Sequence, residues 1–511
     1  MSDKYILAHD LGTTGNKATL FTTQLNIKAS SFYGYKTEYL KANWVEQNPE
    51  DWWQAVCEST QFLIKTAKIE ASEIVCVSLC GHMMGCVAVD RNANPLRSAI
   101  IWADTRAVEE TQLLIEKVGM KPAYQITGHR TNASLSGEKM MWIQRHQPEI
   151  YQYTYKFLQV KDFIAARLTG HFVTDYSDAS GTDLYDLTGY RWSDTMVEAS
   201  GLDMAKLPKL HSSIDVIGEV TQNSSESTGL LKGTPVVIGS GDGACAATGA
   251  GIVREGSAYT CIGSSAWIGI ATNEPVLDPD MRTFTLAHLV PGLFTASGPI
   301  QAAGGAYQWV RDQLCLPEKS ASEALGVSPY ELMNLQVSKS EPGANGLFFF
   351  PYLLGERSPR WNPDARAAFF GLSMSHTRAD MLRATLEGVT YNLRVILEAL
   401  QLQSKPFSNM RVIGGGVNGA VWRQILADIF GMPIQRLSMV TEATSFGAAV
   451  AGGVGIGVFP DLYIAESLTP VIDTTLPNLD YKLRYDQGYA FFNQAYEAFV
   501  PLYSELASLS A

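Results

Sequence analysis

Asp242 stands in the run Gly239-Ser240-Gly241-Asp242-Gly243-Ala244, a carboxylate among residues with almost no side chain. Glycines let a ligand or a second backbone come close. The apolar run Pro235-Val236-Val237-Ile238 precedes it and small residues from Ala244 to Ala250 follow, a pattern of buried strand, glycine turn and helix start. Free amides and positive dipole at a helix start favour an ionised carboxylate. Beside a ligand hydroxyl, such a carboxylate is a general base. An Asp that merely caps a structural turn has the same local pattern.

A second carboxylate, Asp10, ends the apolar strand Tyr5-Ile6-Leu7-Ala8-His9, and the tight turn Gly12-Thr13-Thr14-Gly15 follows. Lys17 to Phe21 reads as the returning strand. The turn is neither a P-loop nor a dinucleotide loop. Its amides and hydroxyls can still cradle phosphate oxygens, and a nearby Asp can hold Mg²⁺. The plan recurs at Ala258 to Trp267, where Gly263-Ser264-Ser265 is the turn between two apolar strands. Two halves with such hairpins imply an internal duplication with a cleft between lobes.

Other elements must carry the walls of that cleft. Asn48-Pro49-Glu50-Asp51 opens a helix with Trp52, Val56 and Leu63 on one face. Ile74 to Leu79 is a strand that ends in the turn Gly81-His82-Met83-Met84-Gly85. Ala99 to Trp102 reads as a further strand, followed by Asp104 and Arg106. Met83, Trp102 and Asp104 at these ends form one wall of a pocket. Residues 140 to 230 are helix-rich. The clearest helix spans residues 380 to 400, with Thr377 and Asp380 as its capping box. The strand Arg411 to Ile413 leads into the loop 414–419 and the helix Val421 to Phe430. Gly414-x-Gly416-x-x-Gly419 fits a dinucleotide fingerprint, although the next strand offers Arg436 where an acid is wanted. An NAD(P)-dependent oxidoreductase therefore stands as an alternative class, as does a non-catalytic or chaperone-like ATPase of the same two-lobed plan.

The bulk composition narrows the field. The chain has 511 residues, 46% apolar and 18% charged, enough for several well-cored domains. A net charge of −12 argues against a nucleic-acid partner. Seven cysteines show no disulfide or zinc spacing, and core thiols point to the cytoplasm. The charge-free stretch Ala443 to Phe459 is short and glycine-rich for a membrane span, and is expected to be a buried helix and turn. A homodimer is the default assembly.

The residues resemble the FGGY carbohydrate kinases over nearly the whole chain. Two long signatures carry the resemblance: Ser134-x-Ser136-x-x-Lys139-Met140-x-Trp142-Ile143-x-Arg145-His146, and Ala367-x-Phe369-x-Gly371-Leu372 through Asp380-Met381-x-x-Ala384-Thr385-Leu386-Glu387. Gly355-Glu356-Arg357-Ser358-Pro359 is similar to a further family stretch. The resemblance implies an α/β, two-lobed, actin-like (ribonuclease H-like) ATPase fold, each lobe a mixed sheet flanked by helices. The lobes are expected at residues 1–248 and 249–511. It implies ATP and Mg²⁺ in the cleft and a small sugar or sugar acid deeper in the first lobe. By this resemblance Asp242 is the catalytic base and Asp10 the acid near Mg²⁺. Gly12, Thr13 and Thr14 form the first phosphate turn, with Lys17 beside it, and Gly263, Ser264 and Ser265 form the second. Gly304 and Gly305 are nucleotide contacts, and Gly414, Gly415, Gly416 and Asn418 the adenosine loop. Met83, Met84, Trp102, Asp104, Asp242 and Gly243 are placed at the sugar. Xylulokinases commonly show a His where this chain has Met84, and Asp-Asn where it has Asp242-Gly243. Trp102-Ala103-Asp104, the Asp-Gly pair and Pro351 to Pro363 look like gluconate kinases, whereas the Gly81…Gly85 frame and Asp175 to Thr182 resemble xylulokinases. A pentulose such as xylulose is the expected substrate, with gluconate or another polyol or ketose as the alternative.

Overall fold

The structure, a computed structural model, describes residues 4–41, 43–438 and 442–509. Its first sheet begins with an antiparallel meander of β1 (Tyr5–Leu11), β2 (Gly15–Thr22) and β3 (Ile27–Gly34), with Asp10 opposite Lys17. β4 (Ile74–Gly81) runs parallel to β1. β5 (Val216–Glu219) and β6 (Pro235–Gly241) complete the order β3-β2-β1-β4-β6-β5, with β6 parallel to β4 and β5 an antiparallel edge. The parallel centre is covered on both faces, which is why β1, β4 and β6 read as continuous apolar runs.

The second sheet comprises β7 (Ala258–Ile262), β8 (Ala266–Thr272), β9 (Phe284–Ala287), β10 (Phe294–Ile300), β11 (Met410–Ile413), β12 (Ile434–Leu437) and β13 (Val471–Thr475), in the order β9-β10-β8-β7-β11-β12-β13. Apart from β9, the two sheets match strand for strand and direction for direction. In each, an antiparallel meander is followed by two parallel strands and an antiparallel edge. The fold is thus the two-lobed α/β plan, and the duplication suggested by the two hairpins lies in the topology rather than in residue identity.

Local chemistry explains the main helices. In α1 (Pro49–Ala67) the Asn48 side chain accepts the Glu50 amide proton and Pro49 starts the first turn. Trp52, Val56 and Leu63 are buried on one face, and Trp52 Nε1 donates to Gln47 Oε1 at 3.0 Å. In α2 (Ser136–His146) and α3 (Val160–Thr169) most residues are buried, and the short α4 (Tyr176–Ser180) is capped by Asp175. α5 (Asp242–Gly249) begins at the acid itself, and α6 (Gly304–Leu314) follows β10. α7 (Arg378–Gln401) has the reciprocal Thr377–Asp380 capping box, α8 (Ala420–Phe430) ends at Gly431, and α9 (Ala443–Gly455) is buried for most of its length. The expected strand at Ala99 to Trp102 is shorter, Ala99–Ile100. The Asp104 amide donates to the Ile101 carbonyl, which turns the chain before Trp102 can pair.

α9 follows β12 of the second sheet in sequence, yet it packs on β1, β4 and β6 of the first, against α5. A split at residue 248 therefore leaves this late helix on the first lobe's sheet. The contact works because the crossing is lined with glycine. A Cβ on Gly249 would lie 1.8 Å from the Ala443 carbonyl oxygen, and one on Gly447 would lie 2.0 Å from that of Cys245. No described helix is long and apolar enough to cross a membrane. Because both obstacles are backbone, Gly447→Ala is expected to destabilise the fold by about 2 kcal/mol or more, read as a lower urea midpoint at unchanged slope. An unchanged midpoint would contradict the close crossing.

Candidate active site

Asp242 is the first residue of α5, at the end of β6, and its Oδ1 accepts the Gly243 amide proton at 2.8 Å. Gly239 has φ +66, and a Cβ there would meet the Leu79 carbonyl oxygen at 1.7 Å. Gly241 leaves room for Met83, whose Cγ would lie 2.5 Å from an added Cβ. The turn is held from behind by α4. Ser177 Oγ accepts the Gly241 amide proton at 2.9 Å, lies 2.6 Å from Ser240 Oγ and donates to Asp175 Oδ2 at 2.6 Å. Asp175 in turn accepts from Ser213 Oγ and pairs with the fully buried Lys161.

Asp10 is the next-to-last residue of β1, and like Asp242 it lies at the C-terminal end of the parallel strands. Burial pushes its carboxyl up to about 6. Burial first, and then the neighbouring Asp10, push Asp242 up to about 7. Protein surrounds Asp242, but its side chain opens to the solvent of the cleft. The shift therefore applies most fully when a ligand displaces that water. Hard carboxylate oxygen donors are the chemistry a Mg²⁺ ion takes, and Asp10 offers one. Lys17, the cation next to them, has its ammonium on Glu442 Oε1 at 3.0 Å.

Asp242 and Gly243 line a cavity of about 200 Å³ together with Met83, Met84 and Trp102. Ser177, Tyr259, Ser265, Trp267, Phe284 and Arg357 also face it. Met84 has φ +64, a conformation that costs a non-glycine residue about 1 kcal/mol or more. It is held there from both sides: its amide donates to Gln159 Oε1 at 2.7 Å, and its carbonyl accepts from Lys139 Nζ at 2.7 Å. Lys139 is fully buried and also donates to the carbonyls of Ile101 and Ser134, tying the Met83-Met84 turn to the Trp102 turn. Burial drives its pKa down to about 7, against the pull of Asp104. Asp104, expected at the sugar, does not line the cavity. It is fully buried, and its oxygens are taken by the Val45 and Arg106 amides and the Arg106 guanidinium. His82 is also buried, edge-on to Trp52, and burial lowers it to about 4, so it is neutral.

A larger cavity, about 1000 Å³, lies between the second turn and the 414 loop. Gly263, Ser264, Gly304, Gly415, Gly416 and Asn418 line it, with Tyr307, Tyr330, Asn334 and Trp422. Tyr307 stacks on Tyr330 with centroids 5.8 Å apart. A Cβ on Gly415 would meet nothing within 4 Å, so backbone forms the floor and a ring has room to lie on it. This chemistry fits a nucleoside with its phosphates toward Ser264. Gly305 and Gly414 lie behind this wall. The Gly304 and Gly305 amides donate to the carbonyls of Gly263 and Ser264 and so brace the second turn. Gly414 has φ +91 and passes within 2.5 Å, at Cβ, of the Ile262 carbonyl oxygen. Asp10, Gly12, Thr13 and Thr14 line neither cavity. The first turn is nevertheless joined to the small cavity, because Trp102 Nε1 donates to Thr13 Oγ1 at 2.9 Å. Gln47 Nε2 and the Tyr35 hydroxyl hold the carbonyls of Thr13 and Gly12.

Sequence reasoning alone did not single out Ser177, Tyr259, Trp267, Phe284 or Arg357 as cavity walls, nor Tyr307 and Tyr330. The Tyr259 to Trp267 hairpin and the Arg357 stretch were visible as motifs, but which way their side chains face depends on pairings far along the chain. The guanidinium of Arg357 lies 5.9 Å over the Trp102 ring, and its Nε has no hydrogen-bond partner among the described residues.

Comparison with known proteins agrees with this geometry. Residues 5–249 match the N-terminal domain of the FGGY family of carbohydrate kinases, and residues 258–456 match its C-terminal domain. The chain is 32% identical over 449 residues to a gluconokinase of Bacillus subtilis (strain 168), covering 88% of this chain and 87% of that protein. It is 33% identical over 460 residues to a xylulose kinase of the same organism, covering 90% of each. Among solved structures it is similar to xylulose kinase from Rhodospirillum rubrum, with TM-score 0.87, 27% identity, and coverage of 98% of this chain and 100% of that one. Gluconate kinase from Lactobacillus acidophilus shares the fold, with TM-score 0.91 at 24% identity over 99% of this chain and all of that one. With both family domains matched across its two lobes, the chain belongs to the FGGY family of carbohydrate kinases, phosphotransferases whose chemistry draws on ATP.

Proposed function

We propose that the protein transfers the γ-phosphoryl group of ATP to a hydroxyl of a pentulose such as xylulose. The observation that carries this reading is the seam between the two cavities. Ser264 faces the large cavity, Ser265 faces the small one, and Asp242 lines the small one. A hydroxyl held at Asp242 can give its proton to the carboxylate while its oxygen bonds to the γ-phosphorus. The bond from that phosphorus to the bridging oxygen breaks, and ADP leaves. Phosphoryl transfer asks mainly for positioning and charge neutralisation. Mg²⁺, when bound, would supply the neutralisation, with Asp10 as its protein oxygen donor and Asp242 left as the base. The second turn, braced by α6, would orient the phosphates, and approach of the first turn across the cleft would exclude water.

Charge favours a neutral sugar. Burial already raises both Asp10 and Asp242, and Asp10 raises Asp242 further, so a substrate carboxylate would bring a third negative charge into the same dehydrated space. The apolar walls of Met83, Met84, Trp102 and Phe284 offer such a charge little solvation. One feature supports gluconate as a second reading: Arg357 brings a cation with an open Nε to this cavity. The same group could instead donate to the keto oxygen of a pentulose.

ADP release with Mg²⁺-ATP across D-xylulose, L-xylulose, D- and L-ribulose, gluconate, glycerol and erythritol decides between them. Strong stimulation by a pentulose is expected. Stimulation by gluconate alone would move the assignment to the second reading, and ADP release that no sugar changes would contradict both. Asp242→Asn should lower kcat by about a hundredfold or more with ATP binding retained, in keeping with loss of a general base. Full activity in that variant would remove the base assignment. Because the base must be ionised in the complex, wild-type kcat should rise with pH toward a plateau above about 7.

A further inference from the structure

A third cavity, of about 460 Å³, opens on the first lobe and shares no lining residue with the two cleft cavities. Its polar lining is basic: Arg91, Lys156, His171 and Lys209 face it, around a floor of Tyr155 and Phe172. We propose that this cavity is a binding site for a small phosphate ester, distinct from the catalytic cleft.

None of these four side chains forms an ion pair among the described residues, in a chain whose net charge is −12. Asp90 accepts the amide protons of Asn92 and Asn94, and Asp203, the acid that acts on Lys156, accepts the amide proton of Ala205. Lys156 Nζ donates to the carbonyls of Ala205 and Leu207, each at 2.7 Å, which fixes the ammonium and leaves one N–H free. The Arg91 guanidinium lies 4.5 Å over the Tyr155 ring, and Tyr155 packs edge-on against Phe172 with centroids 5.0 Å apart. The Arg91 guanidinium is thus seated on Tyr155, and its N–H groups have no hydrogen-bond partner among the described residues, which leaves them to a bidentate oxyanion. The Lys209 backbone is fixed at the cavity, because its strand pairs in parallel with the one that leaves the pocket, Val173 against Lys209.

The plain alternative is that the basic residues balance the C-terminal end of α3, which closes at Gly170 on the rim. That end carries only about half a negative charge, against two lysines and an arginine. Most of the positive charge is left for a ligand. The volume is larger than inorganic phosphate needs, and the aromatic floor suits the carbon skeleton of an ester.

The test is calorimetric titration of ribose 5-phosphate into the enzyme saturated with ADP, so that the nucleotide cavity is already filled. Ribose and inorganic phosphate serve as the two partial ligands. The structure predicts one additional site for ribose 5-phosphate, weaker binding of inorganic phosphate and none of ribose. In the double variant R91A/K209A the affinity should fall by roughly a hundredfold, about tenfold for each charge-assisted bond removed, while ADP binding and thermal midpoint stay unchanged. A His171 ring resonance that moves on titration would place the ligand in this pocket. Equal binding to wild type and double variant, or no binding beyond ADP, would overturn the proposal.

Discussion

The burial of two carboxylates, Asp10 and Asp242, with Asp10 acting on Asp242, is the constraint around which the cleft is built. Both lie at the ends of strands that flank β4, with Asp10 and Ser240 in register with Cys80 on either side. Neighbouring strands lie about 4.8 Å apart, so the two strand ends are about 10 Å apart, near enough for Asp10 to act on Asp242. Both hold a proton more tightly folded than unfolded. Their ionisation therefore opposes folding as pH rises from the ordinary carboxylate range toward about 7. The surrounding structure has to hold them against that force.

It does so through backbone. α5 cannot back away, because glycines lock it against α9, and the Asp242 turn is tied by Ser177 to the buried Asp175 and Lys161. The small cavity is shaped in the same manner. Lys139 spends its ammonium on three carbonyls, so the left-handed Met84 and the Trp102 turn are fixed by one buried cation. A lysine that donates only to main chain is a positioning residue, and its place in a long signature follows from the two turns it joins.

Much of this was legible in the sequence. The glycine turns, the strands before them, the Asn48 and Thr377 caps and the duplicated hairpins are local patterns whose physics is local. What was not legible depends on distant partners. Asp104 looks like a ligand contact from its place after a strand, yet Arg106 and the Val45 amide consume it. Lys17 looks free beside the first turn, yet it meets Glu442 from the far end of the chain. Arg357, Tyr259 and Tyr307 face the cavities only because the second sheet pairs as it does. The apolar stretch from Ala443 reads as a buried helix, but nothing local shows that it packs on the first sheet.

The central claim is that Asp242 is a carboxylate whose proton affinity is raised by its burial and by Asp10. The direct measurement is an NMR titration of the Asp242 carboxyl carbon in wild type and in Asp10→Asn. The account predicts a midpoint well above the ordinary carboxylate range, near about 7, that falls when Asp10 loses its charge. A midpoint near that of a free aspartate, or one indifferent to Asp10, would contradict it.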